Sequence, residues 1–398
     1  MSELRFGPYD ILQDRVTDLR QFYASLHAVG GIFKDAHGVH VVAQYASIID
    51  VLNDPRFVFS CDLVFENSSQ RELLRRSGFP NLIMFQSGAA HLELRRVLIP
   101  LFSPSRLSVI QERLNTFALM RAVQLAEKRS YEFVSEIGKP LATLAVSTLI
   151  GLSEQSASEL ISEAELVRNL VAAVPMEPKI LTRALADFSA SAIRLGAMMD
   201  ASLVKSCTGH PAIDLWRVTD PEKRHILAGN LLLLLLTGFD TLHFLLSNAA
   251  AKLLAHSALL RRSKMTPSLL RPVIDELLRL VSPGQIVFRH AIVDAKLGDH
   301  AIQRGDQVAL LIGAGNLDPN VFPHPAELDP TRSRTRALAF GAGMHACIGA
   351  ALARLGLTTL IEHLSDHLCS HGLRKPIDQQ RQHGLLRGFD TLVIERVP

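Results

Sequence analysis

The sequence lacks the features that would tie it to a polymer, a disulfide scaffold or a membrane. Its 398 residues include only four cysteines, Cys61, Cys207, Cys347 and Cys369. They are far apart and form no CxxC pair, which speaks against a disulfide framework and against a zinc cluster. Charge of one sign is lacking too. The 42 Lys and Arg stand against 39 Asp and Glu, and no long basic run occurs, so no nucleic-acid partner is expected. The opening stretch MSELRFGPYDILQDR has no apolar segment or cleavage site of a secretory signal, and a cytoplasmic protein is expected. No repeat, low-complexity tract or Pro/Ser-rich linker divides the chain, so residues 1–398 read as a single domain.

What the chain has is apolar residues, 48% of the total, enough for a substantial core. Its greasiest run, Ile226 to Leu246, is interrupted by Asn230, Asp240 and His243. Such groups are costly at the centre of a lipid-spanning helix, so a buried helix is expected and no membrane span. Apolar residues at i, i+3 and i+4 predict helices in AHLELRRVLIPLF, LNTFALMRAVQLAEK, KPLATLAVSTLIGL and TPSLLRPVIDELLRLV. VHVVAQYASIIDVLN reads as a short strand followed by a helix. QIVFRHAIV, HAIQ, DQVALLI and TLVIERV read as strands. The fold class is therefore mainly α with small β-sheets. His363, His367 and His371 recur every four residues and read as an exposed face at a helix end, not a metal site.

In FGAGMHACIGAALAR, Phe340 to Arg354, one cysteine sits among glycines and leads directly into an alanine-rich helical stretch. Cys347 falls at or just before the first turn of that helix. There, free backbone N–H groups and the positive end of the helix dipole favour a thiolate. Gly341 and Gly343 permit a tight turn, and Gly349 leaves no side chain beside the sulfur. Taken alone, the residue also reads as a buried free cysteine at a helix junction. A thiolate facing room for a flat ligand suggests haem. The pattern Phe340-Gly341-x-Gly343-x-His345-x-Cys347-x-Gly349-x-x-Leu352-Ala353-Arg354 resembles the haem-binding loop of bacterial cytochromes P450. That resemblance implies the P450 fold. Haem b, iron protoporphyrin IX, would lie between a long central helix and the helix after the cysteine loop, with Cys347 as its iron ligand.

Glu276 and Arg279, three apart, share a helix face and can pair. By resemblance they join Arg332 of ELDPTR in a buried network that holds the haem loop. VLNDPRF, HLELRRVL, RHAIVDAKLGDHAIQRGDQV, GNLDPNVFPHPAELDPTR and RGFDTLVI follow in the order of a bacterial P450, so the resemblance runs from roughly Ser25 to the end. It implies propionate partners in His91, Arg95, Arg289 and His345, with Phe340, Gly341, Gly349 and Gly238 against the haem. The lead-in QSGAAH departs from the acidic, proline-rich form usual at that histidine.

In Thr237-Gly238-Phe239-Asp240-Thr241 the resemblance assigns Asp240 and Thr241 as the acid–alcohol pair that delivers protons to bound dioxygen. The plainer reading is a threonine bonded back to its own helix and an aspartate bonded to surface groups. Thr237 stands where Ala or Gly is commoner, and Leu242 where a second Thr often follows. The substrate pocket is expected to use Leu233, Thr237, Ile286 and Val287, with segments 61–85 and 166–185, and to take a lipophilic small molecule. Arg71, Arg75, Arg76, Arg168 and Lys179 in those segments read first as solvated side chains, with the binding of a carboxylate or a phosphopantetheine carrier as the second reading. One P450 domain uses the whole chain. Electrons from NAD(P)H are therefore expected through a separate ferredoxin and ferredoxin reductase, docking on basic residues such as Arg96, Arg334 and Arg336. The expected reaction is oxidation by O₂, hydroxylation first, in secondary metabolism. Desaturation, ring formation or carbon–carbon cleavage is a second reading, and a haem-binding sensor or recruiting module without turnover a third.

Overall fold

The computed structural model describes residues 7–16, 18–59, 68–171, 177–204, 209–332, 336–373 and 380–396. Eight helices position the site: α1 (Gly88–Leu98), α2 (Pro104–Leu125), α3 (Lys139–Ile150), α4 (Glu165–Val171), α5 (Pro178–Val204), α6 (Arg224–Leu254), α7 (Pro267–Val281) and α8 (Ala350–Cys369). The leucine run Leu231 to Leu236 makes α6 apolar on every side, and a helix with no solvent face becomes the centre of the core. Among the described residues this is the one helix long and apolar enough to cross a membrane, and 78% of its most apolar stretch is buried in protein. It packs against α3, α5 and α8, while α8 lies along α2.

The strands are short and form four separate sheets. β1 (Ile32–Lys34), β2 (His40–Val42), β3 (Phe57–Val58), β5 (Ile286–Ala291) and β8 (Gln307–Leu311) form one sheet in the order β1-β2-β8-β5-β3, with β2 and β8 parallel. β4 (Ser130–Glu132), β12 (Val393–Arg396) and β9 (His371–Leu373) form a second, in the order β4-β12-β9. β6 (Ala295–Leu297) pairs with β7 (His300–Ile302), and β10 (Arg381–His383) with β11 (Leu386–Gly388). Side chains alternate along β5, so Ile286 and Phe288 enter a small core with Tyr23 and Leu311, while Val287 and Arg289 face the opposite way.

The predicted helices and strands are present, with two local differences. The helix expected through AHLELRRVLIPLF stops at Leu98 and becomes the 3₁₀ turn Ile99–Phe102, because Pro100 has no N–H to donate. The histidine repeat is not an exposed face. The helix ends at Cys369, and His367 and His371 pack ring to ring at 4.3 Å beside Tyr131, buried between α8 and the second sheet. No group of three metal-ligating side chains occurs among the described residues. Cys61 and Cys207 lie outside them.

Candidate active site

The three-residue spacing on α7 stacks Glu276 and Arg279 on its buried face. Arg279 donates Nε–H to Glu276 Oε1 at 2.7 Å and Nη2–H to Oε2 at 2.8 Å. Its other donors go to the carbonyls of Asn316, Pro325 and Glu327. Arg332 approaches Glu276 Oε2 at 3.4 Å and donates to Pro323 O at 2.5 Å. The restraint then passes along the chain. Asn316 Oδ1 accepts the N–H of Leu338 at 2.7 Å, and Leu338 opens the turn Leu338–Phe340 that precedes the cysteine loop. The three network residues expected from the sequence are thus brought together.

The loop itself is closed by hydrogen bonds from Gly341 N to Leu338 O at 2.8 Å and from Cys347 N to Phe340 O at 2.9 Å. Gly341 (φ +62°) and Gly343 (φ +68°) lie in the left-handed region that glycine adopts without strain. At Gly343 a Cβ would also run into the Leu52 carbonyl oxygen. Cys347 is a free thiol that is open to a cavity of about 220 Å³, walled by Thr237, Gly238 and Thr241 of α6 on one side and by Phe340 and Gly349 on the other. Its accessible surface faces this interior slot and not bulk solvent. Burial accordingly pushes the thiol pKa up, against the opposing pull of the Gly349 backbone N–H and the Arg95 charge. The expectation of a thiolate favoured by the helix start alone is therefore too simple, since an anion here needs a stronger positive partner.

Four basic side chains gather near this loop. His91 Nδ1 lies 3.1 Å from Ile83 O and Nε2 3.0 Å from Met344 O; the neutral ring has one N–H and can donate to only one of them. Arg95 donates to Ala346 O at 2.8 Å. Arg289, 5% exposed on β5, makes one bond, to Phe288 O, and burial lowers its pKa to about 10. The His345 ring stands 4.3 Å from that of His91, and its pKa falls to about 3, first from burial and then from the charges of Arg289, His91 and Arg95. Among the described residues none of the four is paired with a carboxylate. A thiol opening on an apolar slot, beside the guanidinium groups of Arg95 and Arg289 and the rings of His91 and His345, fits a flat metal ligand with an anionic edge. A haem has this character.

Asp240 and Thr241 are adjacent on α6 but face different spaces. Thr241 lines the cysteine cavity, and its hydroxyl donates to Thr237 O at 2.7 Å; Thr237 in turn donates to Leu233 O at 2.6 Å. With its proton committed to the helix, Thr241 Oγ1 offers lone pairs to the cavity. Asp240 lines a larger, polar cavity of about 650 Å³ together with Lys139, Arg168 and His243. Its carboxylate lies 3.6 Å from Arg168 Nε and 3.6 Å from His243 Nε2, too far for direct hydrogen bonds and wide enough for bridging water. Burial raises the Asp240 pKa to about 6 despite the charges of Arg168 and Lys139. His243 is pushed down to about 3 by burial and then by Lys139, Arg168 and His383.

Several sequence expectations are corrected here. Ile286 does not line the cysteine cavity, because the register of β5 turns it into the Tyr23 core, and Val287 packs with the core on the opposite face of the same sheet. Leu233 is buried in the main core, and its neighbour Leu234 reaches the cavity. Ser282, Pro283 and Gly284 take the place expected for Ile286 and Val287. Gly238 does line the cavity, but a Cβ there would also stand 2.8 Å from Val146 Cγ1, so this glycine lets α6 approach α3. Arg168 is not a solvated side chain but the partner of Asp240. Sequence reasoning missed Arg168 and His243 as neighbours of Asp240; only the His243 spacing of three on α6 was a usable signal. Arg71 and Arg334, and the parts of the two pocket segments at 61–67 and 172–176, lie outside the described residues or side chains.

The family model for cytochrome P450 matches residues 261–389. The biotin biosynthesis cytochrome P450 of Bacillus subtilis is 28% identical over 380 residues, covering 93% of each chain. Linalool 8-monooxygenase of Pseudomonas putida is 27% identical, covering 92% of this chain and 91% of its own. Among solved structures, P450BioI in complex with an acyl carrier protein ligated to hexadec-9Z-enoic acid superposes with a TM-score of 0.85 at 26% identity, over 98% of this chain and all of that one. In fold, in loop geometry and in sequence the chain is a cytochrome P450, a haem-dependent monooxygenase supplied with electrons from NAD(P)H by external redox partners.

Proposed function

We propose that this P450 hydroxylates a lipophilic small molecule in the cytoplasm, using O₂ and electrons from a ferredoxin and its reductase. The observation that carries the reading is the opposition of Cys347 and Thr241 across one apolar cavity, with Asp240 turned the other way onto a polar one. The residues present would hold a haem with Cys347 on the iron and with Arg95, His91, Arg289 and His345 at the propionate edge. When bound, the haem supplies oxygen activation, favoured by the electron-rich thiolate. The chain's own residues supply the rest. Thr241 Oγ1 accepts a hydrogen bond from water at the cavity wall. Asp240, with a pKa near the working range, exchanges protons with the polar cavity and passes them across α6. Leu234, Leu245 and Leu352 exclude bulk water from the cysteine side.

The test is a titration of the purified ferric protein, followed at the Soret band, with fatty acids, terpenoids, steroids, macrolide cores and aromatic amino acids. The relative named for biotin biosynthesis and the structure with a fatty acyl carrier protein place fatty acyl chains first in that panel. A saturable shift toward high spin with one class, followed by a hydroxylated product in turnover, supports the reading. No shift with any member, and no substrate-dependent NADPH consumption, overturns it.

A further inference from the structure

A second buried site lies behind the E-x-x-R network, next to the cysteine cavity, with which it shares Ser282 in its wall. A small cavity of about 80 Å³ opens where the C-terminal half of α6, the end of α7, Asn316 and the β10–β11 hairpin meet, and no acidic side chain lines it. Lys252 of α6 is 9% exposed, and among the described residues its ammonium makes no hydrogen bond or ion pair. Asn316 is 1% exposed; its Oδ1 and its carbonyl are both used, but its Nδ2 amide has no partner. Arg387 reaches in from β11 with one contact, to Asp14 at 3.8 Å. Arg20 stands exposed at the rim without a partner. Arg279 forms part of the wall, and all its donors are committed elsewhere, so it contributes charge alone.

The cationic donors of this cavity meet no anionic acceptor in its wall. The carboxylates around it are already engaged, Glu276 by Arg279 and Arg332 and Asp14 by Arg381 as well as Arg387. Burial, Arg20 and Arg279 pull the Lys252 pKa down to about 8, which still leaves the ammonium mostly charged at neutral pH. A buried ammonium without a counter-charge and a buried amide without an acceptor are both unfavourable, and one ligand relieves both if it carries negative charge and more than one acceptor atom. We propose that this cavity binds a small oxyanion of phosphate or carbonate size, held by Lys252 Nζ, Asn316 Nδ2 and the Arg387 guanidinium. The volume excludes a nucleotide or a sugar phosphate. Because Asn316 Oδ1 also holds Leu338, occupancy links α6 to the turn that precedes Cys347.

The experiment uses the haem-loaded enzyme in chloride-free zwitterionic buffer, with ionic strength held by gluconate, which is too large for the cavity. Inorganic phosphate, sulfate, bicarbonate and chloride are titrated separately, with thermal unfolding and ³¹P line width as readouts. Phosphate or another oxyanion is expected to raise Tm saturably, by about 2–4 °C at a hundred times its Kd. Lys252→Met is expected to weaken binding at least tenfold. Arg20→Ala, at the exposed rim, provides a milder variant should Lys252→Met fail to fold, with a smaller weakening expected. Unsaturable or absent effects of every oxyanion on the wild type, or equal affinity in the variants, overturn the site. Saturation by chloride alone overturns the oxyanion assignment.

Discussion

Asp240 is a carboxylic acid whose charge changes near pH 6, and its folded pKa lies above its ordinary value because burial outweighs the nearby cations. The folded state therefore holds this proton more tightly than the unfolded chain does. The stabilising contribution is complete below pH 3.8 and is lost as pH rises through about 6. Asp240→Asn is expected to gain stability relative to the wild type across that window. Urea midpoints measured at several pH values check this, and parallel curves would contradict it. The same variant should flatten the acceleration of turnover expected of the wild type as pH falls toward 6. Thr241 sits on the other cavity with its hydroxyl proton given to Thr237 O. Thr241→Ala removes the acceptor at the wall and is expected to raise hydrogen peroxide released per NADPH severalfold, with NADPH consumption little changed. Unchanged coupling would remove Thr241 from proton delivery. The sequence placed the pair correctly on one helix, and the plainer reading, a hydroxyl bonded to its own helix, also holds. The two roles are compatible, because Oγ1 can donate one way and accept another.

At the scale of elements, the cysteine loop is fixed by backbone geometry as much as by side chains. Gly343 combines a positive φ with a direct approach to the Leu52 carbonyl, so neither a rotamer change nor a small shift makes room for a methyl group. Gly343→Ala is expected to cost about 2–4 kcal/mol and to loosen haem retention. Denaturant unfolding followed at the Soret band and in the far ultraviolet measures both. A variant as stable as the wild type would show that the loop can move away from Leu52. The E-x-x-R helix and the cysteine helix were legible because each motif occupies one turn of one element. The short strands β1, β3, β4 and β9 were not read from the sequence. Stretches of two or three residues carry no period, and they form only because a partner strand presents free N–H and C=O groups.

For the whole molecule, the surface on the Cys347 side bears Arg96 and Arg336, both exposed and, among the described residues, without ion pairs. If an acidic ferredoxin docks there, reversing both charges to Glu should slow reduction about tenfold at low ionic strength, and the difference should fade at high salt as the charges are screened. Stopped-flow reduction across a salt series checks it, and equal rates at low salt would move the docking face elsewhere. The sequence by itself pointed to the family, the thiol loop, the Glu276–Arg279 pair, the basic propionate candidates and the Asp240-Thr241 pair, because these are written as short motifs with fixed local spacings. Only the tertiary structure decided which cavity each of these faces. It turned Ile286 into the Tyr23 core through the register of β5, brought Arg168 to Asp240, and enclosed Lys252, Asn316 and Arg387 in one acid-free cavity. Such contacts join residues far apart in the chain. They are set by how helices and sheets pack, and packing leaves no local pattern in the sequence to read.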